Sequence, residues 1–358
     1  MICNSLNSHA SIFSNNGSIK PCCAIDIDES FDFWSDSSID KLKTINDSLN
    51  LPVREILKQD LKNGWIPECK YCEKLERAKL KSPRIYSNEN LSGQGLEELQ
   101  LALDFYCNMN CRICRPGTSS KWDSLTNIVF ELKKLEYHHY NDIGDNKSHV
   151  EYLKKIIDKT DFSNLKFLRM VGGEPFYSPN LYWFLDLLKT KTDISNITFY
   201  CNTNGSIIPP KKILNILHEF KSVKIDISID AVEHLAESIR PGVEWNTILK
   251  NVAILNNEFN IMLSPTVSIL NVNALQPIIN LGYDYYFMPL ETPYFLKHTQ
   301  ISIEKRTQWL TNDEEVNKII LLPYEKINKN IFTRSMKLMD SKMPSFSKSN
   351  KEIWTLMN

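Results

Sequence analysis

Residues 99–114 read Leu-Gln-Leu-Ala-Leu-Asp-Phe-Tyr-Cys-Asn-Met-Asn-Cys-Arg-Ile-Cys. The first half, 99–105, reads as a buried strand. The second half places Cys107, Cys111 and Cys114 in a C-x3-C-x2-C run directly after it. Three thiolates so close together wrap three corners of one iron–sulfur cube, and cysteine thiolate is the usual ligand to such iron. No fourth cysteine lies nearby, so one iron is left open, as a catalytic centre needs and a structural one avoids. In α/β barrels the chemistry sits on loops at the C-terminal ends of strands, which is where this run falls.

Working outward, apolar strand-like segments at 167–171, 197–201, 223–229, 261–268 and 285–288 follow the first strand. Helical patterns alternate with them at 121–135, 181–188, 211–220, 244–255 and through Ile278-Ile279. Ser119-Ser120 offers a cap for the first helix, and Ser178-Pro179 opens the second. This alternation argues for parallel βαβ units with right-handed crossovers. Six units are too few for a closed eight-fold barrel. The expected fold is α/β: an open, partial (β/α)6 parallel barrel preceded by a small N-terminal cysteine-rich α+β module. The division expected is 1–92 for that module, 93–300 for the core and 301–358 for a helical extension with a partly disordered tail. Within the module, Asn15-Asn16-Gly17 signals a hairpin turn, helical stretches cover 51–61 and 73–81, and polar 88–95 reads as a linker. The extension carries a helix at 313–322, and polar 345–351 reads as disordered.

Composition narrows the function classes. The chain has 358 residues, 42% of them hydrophobic, and 42 Lys+Arg against 43 Asp+Glu for a net charge of -1. That balance excludes a disordered chain and gives no global attraction to nucleic acid or anionic lipid. No apolar run approaches the ~20 residues of a membrane span. The N-terminus has no charged n-region and no apolar core, so a cytoplasmic protein is expected. Nine cysteines are then anomalous: in a reducing compartment, clustered cysteines read as metal or redox sites rather than disulfides. Eight of them (Cys3, Cys22, Cys23, Cys69, Cys72, Cys107, Cys111 and Cys114) precede residue 120, while Cys201 stands alone and reads as a buried strand residue.

The triad and four further segments, in order, resemble the radical S-adenosylmethionine (radical SAM) superfamily, over roughly 99–290. Gly172-Gly173-Glu174-Pro175 ends the second strand and resembles the family's GGEP motif, which holds the methionine amino group of SAM. Thr203-Asn204-Gly205 follows the third strand, as a similar motif does in many members. Ser228-Ile229-Asp230 ends the fourth, where members place polar groups that contact the SAM ribose and methionine. Arg240, in Ile239-Arg240-Pro241-Gly242, resembles an arginine near the SAM carboxylate in related maturases. Each assignment has a physical rationale. Paired glycines admit a close backbone approach, a carboxylate suits an ammonium, and a guanidinium suits a carboxylate. The sequence departs from the family at Ile113, where an aromatic residue is usual, and residues 286–290 show no adenine-contacting glycine motif. On spacing alone, a zinc site at the triad remains the alternative.

Cys3, Gly17 and Cys22 give C-x13-G-x4-C, and Cys69-Lys-Tyr-Cys72 follows. This resembles the start of the SPASM and twitch modules that hold auxiliary iron–sulfur clusters, here placed before the core; Glu76, Ser82 and Arg84 fit the same pattern. The resemblance implies four thiolates, Cys3, Cys22, Cys69 and Cys72, closing one auxiliary 4Fe–4S cluster, with Cys23 able to replace Cys22. A zinc knuckle is the alternative. His138-His139 and the basic 77–84 stretch read as solvated.

The resemblance implies a radical SAM enzyme. Its triad cluster binds SAM, takes an electron from a flavodoxin or ferredoxin, and cleaves SAM to a 5′-deoxyadenosyl radical that abstracts hydrogen from a substrate. The substrate expected is a peptide or protein side chain. The alternatives are a sugar, nucleoside or glycan precursor or, in another class, a non-enzymatic iron–sulfur electron carrier or sensor. No partner nucleic acid or membrane is expected.

Overall fold

The computed structural model describes residues 1–14, 17–25, 39–114, 118–133, 146–242, 244–325 and 329–357. The chain forms two compact units. The first joins Met1–Phe105, Ile143–Cys201 and Pro209–Val223; the second joins Tyr106–Asp142, Asn202–Ile208 and Lys224–Asn358. The first unit thus draws on both sides of the boundary expected at 92/93, and the second on both sides of 300/301.

In the first unit, β1 (His9–Phe13) and β2 (Ser18–Lys20) form the expected antiparallel hairpin, with Ile12 opposite Ile19. Its Asn15-Asn16 turn lies outside the described residues. β1 also pairs in parallel with β3 (Glu98–Ala102), which pairs in parallel with β4 (Phe167–Val171), which in turn pairs in parallel with β5 (Thr198–Thr203). The N-terminal hairpin therefore extends the parallel sheet. Because side chains alternate along a strand, the register puts Ser11, Gln100, Arg169 and Tyr200 in one row across the sheet. His9, Glu98, Phe167 and Thr198 form the row before it. The opposite face carries Ala10, Ile12, Leu99, Leu101, Leu168, Met170 and Phe199, all buried. A parallel sheet is ordinarily apolar on both faces; here one face is polar.

The helix Pro52–Lys62 starts with proline at its first position and buries Val53, Leu57 and Leu61, spaced at i, i+4 and i+8. Burial of each contributes roughly 1.5–3 kcal/mol. These side chains meet Leu6, Cys22, Ile25 and Ile66, with Cys3 and Cys69 packed against the cluster. The expected linker at 88–95 divides. Asn88–Asn90 completes the helix Pro83–Asn90, and the loop after it is tied down by Glu97, which accepts from the N–H groups of Gly93 and Gln94 and from Ser92.

In the second unit, Lys224–Ile227 of β6 (Ser222–Ile227) pairs in parallel with β7 (Asn260–Leu263). β8 (Thr266–Val267) pairs in parallel with β9 (Met288–Pro289). The strand expected at 261–268 is split between β7 and β8 at Pro265, which has no N–H to give a ladder. The sixth expected strand shrinks to a bridge at Tyr285 and the short β9. The helix expected at 121–135 starts as a 3-10 turn, Ser120–Leu125, before Thr126–Lys133. Among the described residues of the tail, Lys329–Asp340, Phe346–Ser349 and Lys351–Met357 are helices, and they bury Phe332, Met336, Met339, Phe346 and Ile353. Its polar residues face outward while these apolar ones supply a core. The parallel α/β class expected from the sequence holds within each unit. Among the described residues no helix is long and apolar enough to cross a membrane.

Candidate functional site

The cysteine loop opens the second unit, and buried side chains hold its backbone. The Cys107 N–H donates to Ser120 Oγ at 3.1 Å, Ser119 Oγ donates to Met109 O at 2.6 Å, and Trp122 Nε1 donates to Cys111 O at 3.2 Å. Ser119 and Ser120, expected to cap a helix, thus also hold the loop. On its other side the loop meets residues 239–242. The Arg112 N–H donates to Ile239 O at 2.8 Å and the Asn110 N–H to Pro241 O at 3.2 Å. Gly242, at φ 130°, leaves no room for a side chain, because a Cβ there would stand 2.7 Å from Asn108 O. The result is a loop preorganised from both sides.

Two thiols of this loop are in contact, and Cys107 lies close enough for its charge to act on Cys114. Cys111 hydrogen-bonds Cys114, which raises the pKa of Cys111 and lowers that of Cys114. Arg240 lies beside them, with Nη1 3.9 Å from Cys111 Sγ and Nε donating to Asp230 Oδ2 at 2.6 Å. Burial works against the Arg240 charge, yet Asp230 and the Cys111 thiol push its pKa above the ordinary arginine value. The other Asp230 oxygen accepts from the Thr266 N–H at 2.9 Å, so both oxygens are engaged within the protein. Asn204 donates to Asn108 Oδ1 at 3.0 Å and lies 3.9 Å from Cys107 Sγ. Ser228 is half-buried, and its N–H donates to Thr203 O at 2.8 Å. The second unit therefore gathers Cys107, Cys111, Cys114, Asn204, Asp230 and Arg240. A converging set of three thiols with a cation beside it fits a metal–thiolate centre.

Gly172, Gly173, Glu174 and Pro175 end β4 in the first unit. Gly172 sits at φ 104°, and a Cβ there would come within 2.6 Å of Asp104 O. The Glu174 carboxylate is buried and caps the short turn Pro175–Tyr177 through the Phe176 N–H at 3.1 Å. A small cavity beside it is bounded by Asp104, Val171, Glu174, Pro175 and Ser178.

The N-terminal thiols also converge, all within the first unit. Burial raises the Cys3 pKa. Burial and then the charges of Cys72 and Cys3 push Cys69 up to about 12. Burial, with Cys3 among its neighbours, pushes Cys72 up to about 11. Cys22, hydrogen-bonded to Cys23 and buried, is raised well above the ordinary thiol value, with Cys3 and Cys72 contributing. Thiols that oppose one another's ionisation this way favour a shared cation. Cys23 is exposed, and its charged neighbours include His9, Glu98 and Arg169 as well as Cys72. A second observation bears on fit. Arg54 is 1% exposed, lies close enough to Cys22 to feel its charge, and has its Nη2 buried without a hydrogen-bond partner. A buried cation with an idle donor near Cys22 suits an anionic metal–thiolate group there. Glu76 accepts from Ser82 at 2.6 Å and from Arg84 Nε at 2.9 Å, joining the three residues that the sequence pattern grouped. Among the described residues, no three His, Cys, Asp or Glu side chains stand close enough to share a single metal ion.

Sequence reading missed Arg54, Arg112, Asn108 and Trp122. Arg54 carried a signal, since it precedes Leu57 and Leu61 at i, i+3 and i+7 on the apolar stripe of its helix. Cys201 is buried in β5, as expected of a strand cysteine. His138-His139 lies outside the described residues.

With this geometry in place, residues 105–278 match the sequence model of the Radical SAM superfamily. Members of that superfamily are enzymes that use a 4Fe–4S cluster and S-adenosylmethionine. Over 177 residues the chain is 30% identical to the radical SAM cyclopropyl synthase TigE of Paramaledivibacter caminithermalis, covering 47% of this chain and 34% of that protein. Over 187 residues it is 26% identical to the GTP 3′,8-cyclase of Campylobacter lari, covering 51% and 49% respectively. The chain therefore spans about a third to a half of the length of these curated relatives. Among solved structures, Streptococcus suis SuiB bound to S-adenosylmethionine aligns over 90% of this chain and 70% of its own, with 14% identity and a TM-score of 0.37.

Proposed function

We propose, from the premise that residues 105–278 are a radical SAM domain, that this chain is an enzyme that cleaves S-adenosylmethionine reductively and abstracts hydrogen from a substrate carbon. The observation that carries the reading is the convergence of Cys107, Cys111 and Cys114 beside Arg240 on a loop fixed from both sides. When bound there, a 4Fe–4S cluster supplies the electron that splits the sulfonium of SAM and so generates a 5′-deoxyadenosyl radical.

The chain's residues bind and orient. Cys107, Cys111 and Cys114 hold the cluster. Arg240, kept cationic by Asp230, receives the SAM carboxylate; Asp230 positions Arg240 and anchors β8. Asn204 and Ser228 offer polar groups to the nucleotide. In the first unit, Gly172, Gly173, Glu174 and Pro175 hold the methionine amino group, and Gly172 lets the end of β4 pass close to Asp104 O. Cys3, Cys22, Cys69 and Cys72 hold an auxiliary cluster, with Arg54 as its buried counter-ion. Cys22 rather than Cys23 is the ligand, because it packs in one core cluster with Cys3 and Cys69.

The substrate class proposed first is a peptide or protein side chain. An auxiliary cluster that accepts an electron suits net oxidation or bond formation on such a target. The polar row Ser11, Gln100, Arg169 and Tyr200 supports a substrate rich in hydrogen-bonding groups. A nucleotide is the second reading, favoured by the GTP cyclase relative. The reductant is a flavodoxin or ferredoxin. Reconstitution with iron and sulfide without oxygen, followed by dithionite and SAM, tests the reading. 5′-Deoxyadenosine and methionine are the expected products. Intact SAM with a fully loaded, reduced cluster would mark an electron carrier or sensor instead.

A further inference from the structure

Arg112 lies between the second and third cysteines of the triad, yet its side chain turns away from them and is fully buried. Its Nε donates to Ser238 O at 2.7 Å, and its Nη2 donates to Asp340 Oδ1 at 2.7 Å and to Pro344 O at 2.6 Å. Its guanidinium lies 6.0 Å from the centre of the Phe346 ring. Asp340 ends the helix Lys329–Asp340 and gathers the turn that follows: Oδ1 also accepts from the Phe346 N–H at 3.0 Å, and Oδ2 accepts from Ser345 Oγ at 3.3 Å and from the Ser347 N–H at 3.4 Å. Phe332, Met336, Met339 and Phe346 are buried beside it, while the Asp340 side chain keeps 15% exposure.

A buried ion pair is a poor way to gain stability, because desolvation of two charges offsets most of their attraction. An apolar pair at the same place would hold the C-terminal helices as well. The pair does supply something an apolar contact does not, namely a fixed geometry and a balanced charge one residue from Cys111. We propose that the C-terminal segment 329–349 braces the cluster loop through the Asp340–Arg112 pair, and that Asp340 is a positioning residue which sets the loop and the local charge felt by the triad cluster. Arg112 meets Asp340 at the end of the helix Lys329–Asp340, while Arg240 meets the Cys111 sulfur. Asp340 neutralises the first and Asp230 the second.

The inference rests on the proposed triad cluster. It is tested on the full chain, loaded without oxygen, by following the SAM-sensitive signal of the reduced cluster in a redox titration and by timing iron release to a chelator. Asp340→Asn keeps the side-chain shape and removes the negative charge. The unbalanced cation favours the reduced cluster, so the midpoint potential rises. Arg112→Met removes the cation and leaves Asp340, so the potential falls. Both variants lose triad iron faster, on the order of tenfold, because each leaves one buried charge alone. Shifts of opposite sign separate positioning from a general loss of structure, which moves both variants the same way. Should Asp340→Asn fail to fold, the doubly apolar Arg112→Met/Asp340→Leu chain carries the test, with faster triad iron release expected. Potentials and release rates equal to those of the unaltered chain overturn the brace. An unaltered chain that takes up no iron at the triad sinks the cluster reading itself.

Discussion

Arg240 joins Asp230 and Cys111: its Nε donates to the carboxylate at 2.6 Å, and its Nη1 lies 3.9 Å from the sulfur. With Asp230 only 1% exposed, the pair is a buried one whose cation faces the proposed cluster. Arg240→Met leaves a buried carboxylate without its partner and is expected to lower unfolding stability by about 3–5 kcal/mol. Arg240→Met with Asp230→Asn, which keeps an oxygen to accept from the Thr266 N–H, recovers most of that loss but not SAM affinity. Urea melts and equilibrium SAM binding on the two variants check both halves. Recovery of SAM binding in the double variant removes Arg240 from the SAM site.

Gly172 illustrates a backbone constraint. At φ 104°, with Asp104 O where a Cβ would go, Gly172→Ala is expected to cost about 1–3 kcal/mol in stability. The same change at Gly64, where nothing lies within 4 Å of a Cβ, removes no packing, although its φ of 146° still carries strain. A smaller loss at Gly172 than at Gly64 contradicts the close approach.

Glu97 gives the pH dependence. Burial alone raises its pKa, but Lys166, Ser92 and the N–H groups of Gly93 and Gln94 pull it down from 4.5 to about 2. A carboxylate depressed in the folded state stabilises above its unfolded pKa, and that contribution disappears as pH falls through the folded one. The intact chain is therefore expected to lose this stabilisation between about pH 4.5 and about pH 2. Glu97→Gln loses it at neutral pH and shows a flatter profile in that window. Thermal melts of the metal-free chain across acid pH read the difference, and parallel curves contradict it.

The two sets of thiols predict a division of iron. Replacing Cys107, Cys111 and Cys114 by Ala is expected to leave about half of the reconstituted iron and abolish SAM cleavage. Replacing Cys69 and Cys72 leaves the other half and keeps SAM cleavage. Arg54→Met resembles the second variant in iron content, because the auxiliary group loses its buried counter-ion. Full iron retention after the Cys69 and Cys72 changes contradicts an auxiliary cluster.

The strand–helix alternation from 99 onward was legible because buried parallel strands are continuous apolar runs, and Phe167–Val171 falls where it was expected. The cysteine spacing was legible because ligands to one centre must be close in sequence when they share a loop. Less legible were features set by distant partners. The pairing of β1 with β3 depends on a register across some 90 residues, which no local pattern encodes. The tail's polar surface concealed Phe346 and Ile353 as isolated apolar anchors. Arg112 carried no local signal of its role, since its partner Asp340 lies 228 positions away. Pro265 gave a signal that the length of the expected strand at 261–268 overrode.

The central claim is that the Cys107, Cys111 and Cys114 centre keeps an open iron for SAM. Low-temperature electron paramagnetic resonance of the dithionite-reduced chain, recorded with and without SAM, addresses it most directly. The account predicts a reduced-cluster spectrum that shifts when SAM is added, and no such shift once the three cysteines are replaced by Ala. A chain loaded with iron at the triad whose spectrum is identical with and without SAM contradicts it.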